Sequence, residues 1–536
     1  MDTTQSFLPR SACGDRLSWR GVGAVAALLL LLATPARALD WPQFRGPNGD
    51  GATSESIQFD WPAAGPRLLW KHTLTNGFSS IAVTQGRVVT QVLQTVTGGK
   101  REVAVAYDSE TGTMLWNRPL LPVKDPLYDG GGDNGAPGNG GGDGPRSTPA
   151  IVGSRVLILT SWQSLYCLDL VSGDILWSKD LVALYGARGI TWQSAASPVV
   201  ENDLVIVNCN APGKTFVALR IADGSLGWQS STADKMTQST PVVADLLGTR
   251  QLVYYAQSGL VGLDPASGAV LWRQSATYNG TSVAASPVVA TNLIYASAGY
   301  GTGARVARIA KTGATFTSTQ IARTSGANEN HWATPVHHQG YVYGLYGSTG
   351  QGDYYYGQTP LKCLKLDTLE EQWSVEGFGP GGIVLVNNKL LVLTQAGELV
   401  LVDPNPTAYT ELRRFKAVGG KCWNVPAVSN GRLYVRSTKE IAAFDVSLAP
   451  PPALRLEPPR VASDGTVQLR LTNADGSPAD AGRAARIAVY ASPDAPRAST
   501  NWSRLPAAVT PVDAGFRIED PAGGQPQRFY RAQEDP

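Results

Sequence analysis

The sequence predicts an all-β chain, an eight-bladed β-propeller followed by a small C-terminal β-sandwich, and three observations carry that expectation. The stretch Ala106-Tyr107-Asp108-Ser109-Glu110-Thr111-Gly112-Thr113-Met114-Leu115-Trp116 recurs with its internal spacing kept. A Ser/Thr-Pro-x-Val start follows each recurrence and leads into a β-branched run. A lone strand near the N-terminus has no partners beside it, and a trio of strands near residue 440 lacks a fourth. Together they describe repeated four-strand units closed into a ring.

The repeated unit reads small-x-Asp-x-x-Ser/Thr-Gly-x-x-x-Trp. It returns from Cys167 to Trp177 through Asp169, Ser172 and Gly173, and from Gly262 to Trp272 through Asp264, Ser267 and Gly268. Two copies keep less: Ala218 to Trp228 has Arg220 for Asp but retains Gly224, and Cys363 to Trp373 carries Lys365 and Leu369. Such a unit is strand, turn, strand. The Asp and Ser/Thr side chains accept from turn amides, Gly takes the positive φ, and alternation sets the Trp on one face. The Trp is then a packing wedge rather than a catalytic group.

The strand starts are Thr148-Pro149, Ser197-Pro198, Thr240-Pro241, Ser286-Pro287 and Thr334-Pro335, with looser versions at Ser79-Ser80, Gly379-Pro380 and Val425-Pro426. The turn markers Gly112, Gly173, Gly224, Gly268, Gly313 and the equivalent Leu369 lie roughly 44 to 61 residues apart, against about 40 to 50 for a four-stranded blade. Arg67-Leu68-Leu69-Trp70-Lys71 supplies a final strand without its first three. Asn424 to Val428, Arg432 to Arg436 and Ile441 to Val446 supply three without a fourth. Pairing them closes the ring and removes two open edges. Register is loose in blade 5, where Phe316 follows Thr312-Gly313, and in blade 7, where Asp403-Pro404 leads to Phe415 without a Gly turn.

The segments expected are residues 1–38 as a signal peptide, 39–66 as an N-terminal extension, 67–447 as the propeller, 448–459 as a Pro-rich linker and 460–536 as an immunoglobulin- or fibronectin-like sandwich. The first rests on Arg16 and Arg20, the apolar run Ala24 to Ala33 and an Ala36-Arg37-Ala38 cleavage site. It predicts export, to the periplasm or the medium. No Cys follows the apolar run to carry a lipid, and no later stretch reaches the ~20 apolar residues of a membrane span.

Removing that segment takes the formal charge of +2 to near zero, which excludes an electrostatic case for nucleic acid or an acidic membrane as partner. A monomer is expected. Cys167, Cys209, Cys363 and Cys422 remain, an even set for which disulfides are allowed but not specified. Cys167 and Cys363 fill the small-residue slot of the repeat and read as packing residues. The opening segment Trp41-Pro42-Gln43-Phe44-Arg45-Gly46-Pro47-Asn48-Gly49-Asp50-Gly51 reads as an ordered surface turn.

Ligands of a propeller gather over the channel mouth, where loops enter the innermost strands. Those loops supply Phe78, Arg146, Trp192, Gln193, Gln238, Asn279, Glu329, Asn330, His331, Trp332, Lys421 and Trp423. The set suits a planar anionic or sugar-like ligand, and His331 beside Glu329 suits an acid or base near neutral pH. No metal site is assigned. The Gly-rich insert with Asp129, Asp133 and Asp143 offers carboxylates to calcium, with a flexible loop the more economical reading, and His337 and His338, adjacent in a strand, face opposite ways. Tyr354-Tyr355-Tyr356 is an exposed-stack candidate. No nucleophile elbow, Walker loop, His-Glu-x-x-His or Cys-x-x-Cys pair occurs.

The repeat, over about residues 67 to 446, resembles the tryptophan-docking repeat of the quinoproteins, eight-bladed dehydrogenases that use pyrroloquinoline quinone (PQQ). The outer-membrane protein assembly scaffold and a group of exported PQQ-like propellers share it. Trp41-Pro42-Gln43-Phe44-Arg45-Gly46-Pro47, Gly397-Glu398-Leu399-Val400-Leu401 and Gly420-Lys421-Cys422-Trp423 look most like that last group. Asn501-Trp502 and Arg528-Phe529-Tyr530-Arg531 are similar to its C-terminal sandwich modules. The resemblance implies a binding or assembly scaffold of the bacterial envelope, with an envelope protein or a glycan as partner. Its alternative is a PQQ- and calcium-dependent oxidoreductase of alcohols or sugars, with Trp332 or Trp423 stacking the quinone and Glu329 and Asn330 on calcium. The adjacent-cysteine ring those enzymes place against the quinone has no counterpart here. A carbohydrate-binding accessory protein is the third expectation, resting on the aromatic loops.

Overall fold

The computed structural model describes residues 40–536 apart from 123–143, 189, 191–193, 231–233, 235–236, 276–282, 348–358, 449–451, 480, 494–500, 522–527 and 535–536. The leader 1–38 and Tyr354 to Tyr356 therefore lie outside the described residues.

Between Ala38 and Leu448 the chain forms one compact unit of antiparallel four-strand meanders. The first runs Ala82–Thr84, Arg87–Val96, Gly99–Asp108 and Met114–Pro122, and the same order repeats along the chain. The lone strand Arg67–Thr73 pairs with Glu440–Asp445, setting Trp70 opposite Ala443, and so completes the last sheet from the other end of the unit. First strands of successive sheets lie side by side, and Ala427–Ser429 returns to Ala82–Thr84. This is a β-propeller.

The Ser/Thr of five strand starts, those at Ser80, Thr148, Ser197, Thr240 and Thr334, has a task that spacing alone did not reveal. Its hydroxyl accepts the backbone N–H of the same position in the preceding sheet: Ser80 N to Thr148 Oγ1 at 3.1 Å, Thr148 N to Ser197 Oγ at 2.9 Å, and Ser197 N to Thr240 Oγ1 at 2.9 Å. Ser286 N donates to Thr334 Oγ1 at 2.9 Å, and Val425 N donates to Ser80 Oγ at 3.2 Å across the closing seam. Inner strands have no lateral ladder partner in the next sheet, so these hydroxyls satisfy donors that would otherwise be buried unpaired.

The outer strands are joined by the tryptophans. Trp70, Trp116, Trp177 and Trp228 each donate Nε1 to a backbone oxygen of the following sheet's turn, on Ser109, Leu170, Ile221 and Pro265, at 3.0 to 3.1 Å. Each also covers that turn's glycine: Gly112, Gly173, Gly224 and Gly268. Trp373 donates to Asn405 O at 2.9 Å. Asp108 and Asp169 hold their turns by accepting from the amides two and three residues on, which lowers both carboxyl pKa values. Asp264 holds its turn by accepting from Ala266 N and from the Ser267 hydroxyl. Trp272 departs from the pattern. Its Nε1 turns back to Gln251 Oε1 at 2.6 Å and its ring lies over Gly262 of its own sheet, leaving the Gly313 turn undocked.

The docked glycine predicts a contrast. At Gly173, φ is +72° and a Cβ would sit 2.6 Å from the Trp116 ring, whereas nothing lies within 4 Å of one at Gly313, φ +60°. Gly173→Ala is expected to cost about 2–4 kcal/mol and Gly313→Ala about 1 kcal/mol, the strain term alone. Equal losses by denaturant titration would show that the docking adds nothing.

The opening segment is not a surface turn. Trp41 is fully buried, and residues 41–55 run as a strap over inner strands of the ring. Trp41 and Val83 exchange backbone hydrogen bonds, Ile151 N donates to Pro42 O, and Leu385 N donates to Gly51 O. Ala52 and Thr53 add a parallel strand beside Leu385 and Val386. Arg45 donates Nη1 to Thr334 O at 2.8 Å and Nη2 to Pro335 O at 2.7 Å, and Gly431 N donates to Glu55 Oε1. A Gly/Pro-rich run satisfies few of its own backbone groups, and here its partners are inner-strand edges. Residues 58–65 then occupy the junction at the seventh sheet, where Arg413 stands in the tryptophan's register: Arg413 Nε donates to Trp61 O, and Phe415 packs edge-on to Trp61.

Cys167, Cys209, Cys363 and Cys422 are buried free thiols, with burial pushing their pKa values up to about 11, 11, 11 and 12.

Beyond Leu448 a separate unit follows. The stretch expected as a linker over 448–459 carries a strand instead, Leu454–Leu456, whose alternation fits it to pair with Val467–Asn473. That sheet continues through Gly515–Asp520 to Thr510–Val512, and a second joins Ser503–Arg504, Ile487–Ser492 and Phe529–Glu534. Leu469, Leu471, Ile487, Val489, Phe516, Ile518 and Tyr530 form their shared apolar core. Among the described residues of the chain, no helix is long and apolar enough to cross a membrane.

Candidate functional site

The loops entering the inner strands bring together a row of rings. Phe78 stacks on Trp423 at 5.1 Å, Trp423 meets Trp332 at 4.4 Å and 45°, Trp332 stacks on His331 at 5.3 Å, and His331 meets Tyr300 edge-on at 4.8 Å. Two cations flank one end: Lys421 Nζ lies 4.3 Å over Trp423, and the Arg146 guanidinium 5.6 Å over Phe78. Tyr300 escaped the sequence reading because it sits in the hairpin Gly299-Tyr300-Gly301, not in an entry loop. Its glycine neighbours were the available signal.

Other members of the predicted set face inward. Asn330 is fully buried, accepting from Tyr295 Oη at 2.7 Å and donating Nδ2 to Leu345 O at 2.8 Å. Glu329 is buried, and its carbonyl accepts from Gly347 N. Gln238 accepts from Ala195 N through Oε1 and so ties two entry loops together. Trp192, Gln193 and Asn279, like Asp129, Asp133 and Asp143, lie outside the described residues.

His331 is not poised for proton transfer at neutral pH, because burial lowers its pKa to about 4. Its folded-state pKa is below the ordinary 6.5, so the unfolded chain takes up a proton first. Stability is full above pH 6.5 and falls as the pH drops towards 4, by ~1.4 kcal/mol per unit. The His331 ring resonances should stay unchanged from pH 8 to 5. A titration midpoint near 6.5 would overturn this.

A PQQ and calcium site does not fit these residues. Trp332 already carries His331 against its ring, and Trp423 carries Phe78 and Lys421. The Asn330 amide, a calcium ligand in the oxidoreductase expectation, is already engaged by Tyr295 Oη of the preceding sheet and by Leu345 O. Among the described residues no three His, Cys, Asp or Glu side chains converge as a metal site. His337 accepts from Gly340 N through Nε2.

Docked tryptophans, hydroxyl-linked inner strands and a last sheet completed by the N-terminal strand define the chain as a PQQ-like β-propeller. Within that class, residues 100–359 match the family described as outer membrane protein assembly factor BamB. The BamB of Moranella endobia (strain PCIT) is 27% identical over 271 residues, 49% of this chain and 66% of that protein, just under two thirds of its length. Among solved structures, the quinohemoprotein alcohol dehydrogenase from Comamonas testosteroni aligns with a TM-score of 0.53 at 14% identity, over 79% of this chain and 83% of its own. BamB from Moraxella catarrhalis aligns at 0.49 and 17%, over 71% of this chain and 99% of its own. These likenesses are of fold.

Proposed function

We propose that the chain is an exported, eight-bladed PQQ-like propeller with a C-terminal β-sandwich domain, residues 460–536, and that it serves as a binding or assembly scaffold in the bacterial cell envelope. The observation that carries this reading is how the polar side chains at the mouth are used. Asn330 and Gln238 hold entry loops in place, and both tryptophans are occupied by neighbouring rings. A rigid ring with its mouth committed to packing suits presentation of loops to a partner better than turnover of a small substrate. The matched assembly factor supports an envelope protein as that partner. The aromatic row supports a glycan as the second reading.

Photo-crosslinkers placed at Tyr300 and at exposed Met114 in the native host are expected to trap an outer-membrane assembly protein, and depletion should lower outer-membrane protein levels. Unchanged levels with no adduct from either position would sink the scaffold reading. A rise in melting temperature with PQQ that requires calcium would replace it with the oxidoreductase.

A further inference from the structure

The strap leaves a pocket of about 330 Å³ beneath it, on the side of the third, fourth and fifth sheets. Its inner wall is apolar, built from Pro198, Pro241 and Pro287 with the valines that follow each, and Phe44 of the strap faces them. The volume is at the lower end for small-molecule sites, about 300–1,000 Å³, and the lining as a whole is mixed, more polar than apolar, with Gln43, Asn48, Thr240 and Ser286 beside the prolines and valines.

Two observations mark it as more than a packing gap. The hydroxyl relay between inner strands breaks here. Ser286 lines the pocket, is 2% exposed, and its Oγ has no hydrogen-bond partner, whereas the hydroxyls of Thr148, Ser197, Thr240 and Thr334 each accept from the preceding sheet. The rim is acidic. Asp50 and Asp245 line it, and the one guanidinium among the lining residues, Arg250, is shared between Asp245 and Glu201, at 3.3 and 2.9 Å.

We propose that this pocket binds a small amphiphilic amine, its apolar body against the prolines and valines and its ammonium at the Asp50–Asp245 rim. A short apolar body fills the slot without straining the strap. A carboxylate of the same shape meets like charge at the entrance, and the neutral alcohol forgoes the ion pair. The site lies under the strap, formed by residues other than the ring row of the entry loops, and it stands whether or not the scaffold reading holds.

The test uses the full mature chain with cyclohexylamine, cyclohexanol and cyclohexanecarboxylate as probes, by ligand-observed NMR. Cyclohexylamine is expected to bind, about tenfold more tightly than the alcohol, with the carboxylate unbound. Val243→Trp fills the slot and should abolish binding. Asp245→Asn, a mild change, should weaken the amine several-fold and narrow its advantage over the alcohol. No binding of any probe, or amine binding unchanged in Asp245→Asn, overturns the site. Equal affinity for all three overturns the amine.

Discussion

Arg436→Ala is expected to lower the melting temperature by about 5–10 °C, the largest single effect in the ring. The guanidinium is fully buried at the closing seam, and among the described residues no carboxylate pairs with it. Nη1 donates to Thr90 Oγ1 at 2.8 Å and Gln91 O at 2.7 Å, Nη2 to Gly77 O at 2.8 Å, and Nε to Ser437 O at 3.3 Å. Burial lowers its pKa to about 10, so the charge is retained at neutral pH. Removing it leaves these acceptors buried and opens a cavity, together about 3–5 kcal/mol. Lysine should not rescue, since one ammonium cannot span acceptors set around a planar fork. Gly77 adjoins Phe78, so tryptophan fluorescence from Trp423 should shift as well. A melting temperature within about 2 °C of the parent would show that the seam is held elsewhere.

Arg45→Ala is the second large effect, and it acts on the strap. Besides Thr334 O and Pro335 O, the Arg45 Nη2 group donates to Asp50 O at 2.7 Å, so one side chain folds the strap on itself and fastens it to the ring. Its loss is expected to cost about 3 kcal/mol and to open the strap without unfolding the sheets. Limited proteolysis should then cut within residues 40–56 many times faster, while the far-ultraviolet spectrum is unchanged. Protection equal to the parent would mean that the Trp41–Val83 bridge and the Ala52–Thr53 strand suffice.

The repeat was legible because it is local. Asp108, Gly112 and Trp116 sit within nine residues of one another, and turn chemistry fixes what each must do. Pairing of the Trp70 strand with residues 440–445 was legible too, because an unmatched strand at one end answered an incomplete sheet at the other. The strap was not. Its partners are 289 and 290 residues away at Thr334 and Pro335, and an aperiodic Gly/Pro run carries no trace of them. Side-chain direction in the entry loops was equally hidden. Spacing placed His331, Trp332 and Trp423 near one another, but turned Asn330 inward only through the hydroxyl of Tyr295, a residue chosen by another strand. Trp272 shows the same limit, since its reversal depends on Gln251, two strands away in its own sheet.

The completed last sheet also sets a clock for biogenesis. Arg67 and Asp445, which pair across it, are 378 residues apart in sequence. At ~5–20 residues per second of synthesis the first strand therefore waits about 20–75 s for its partner. Until then its edge is open and the incomplete sheets have no circumference to close. Loop entropy grows only slowly with such length, so the wait costs little in equilibrium stability and much in exposure. The nascent ring is thus a substrate for holdases and proteases over most of its synthesis, and a chain truncated before residue 440 never leaves that state.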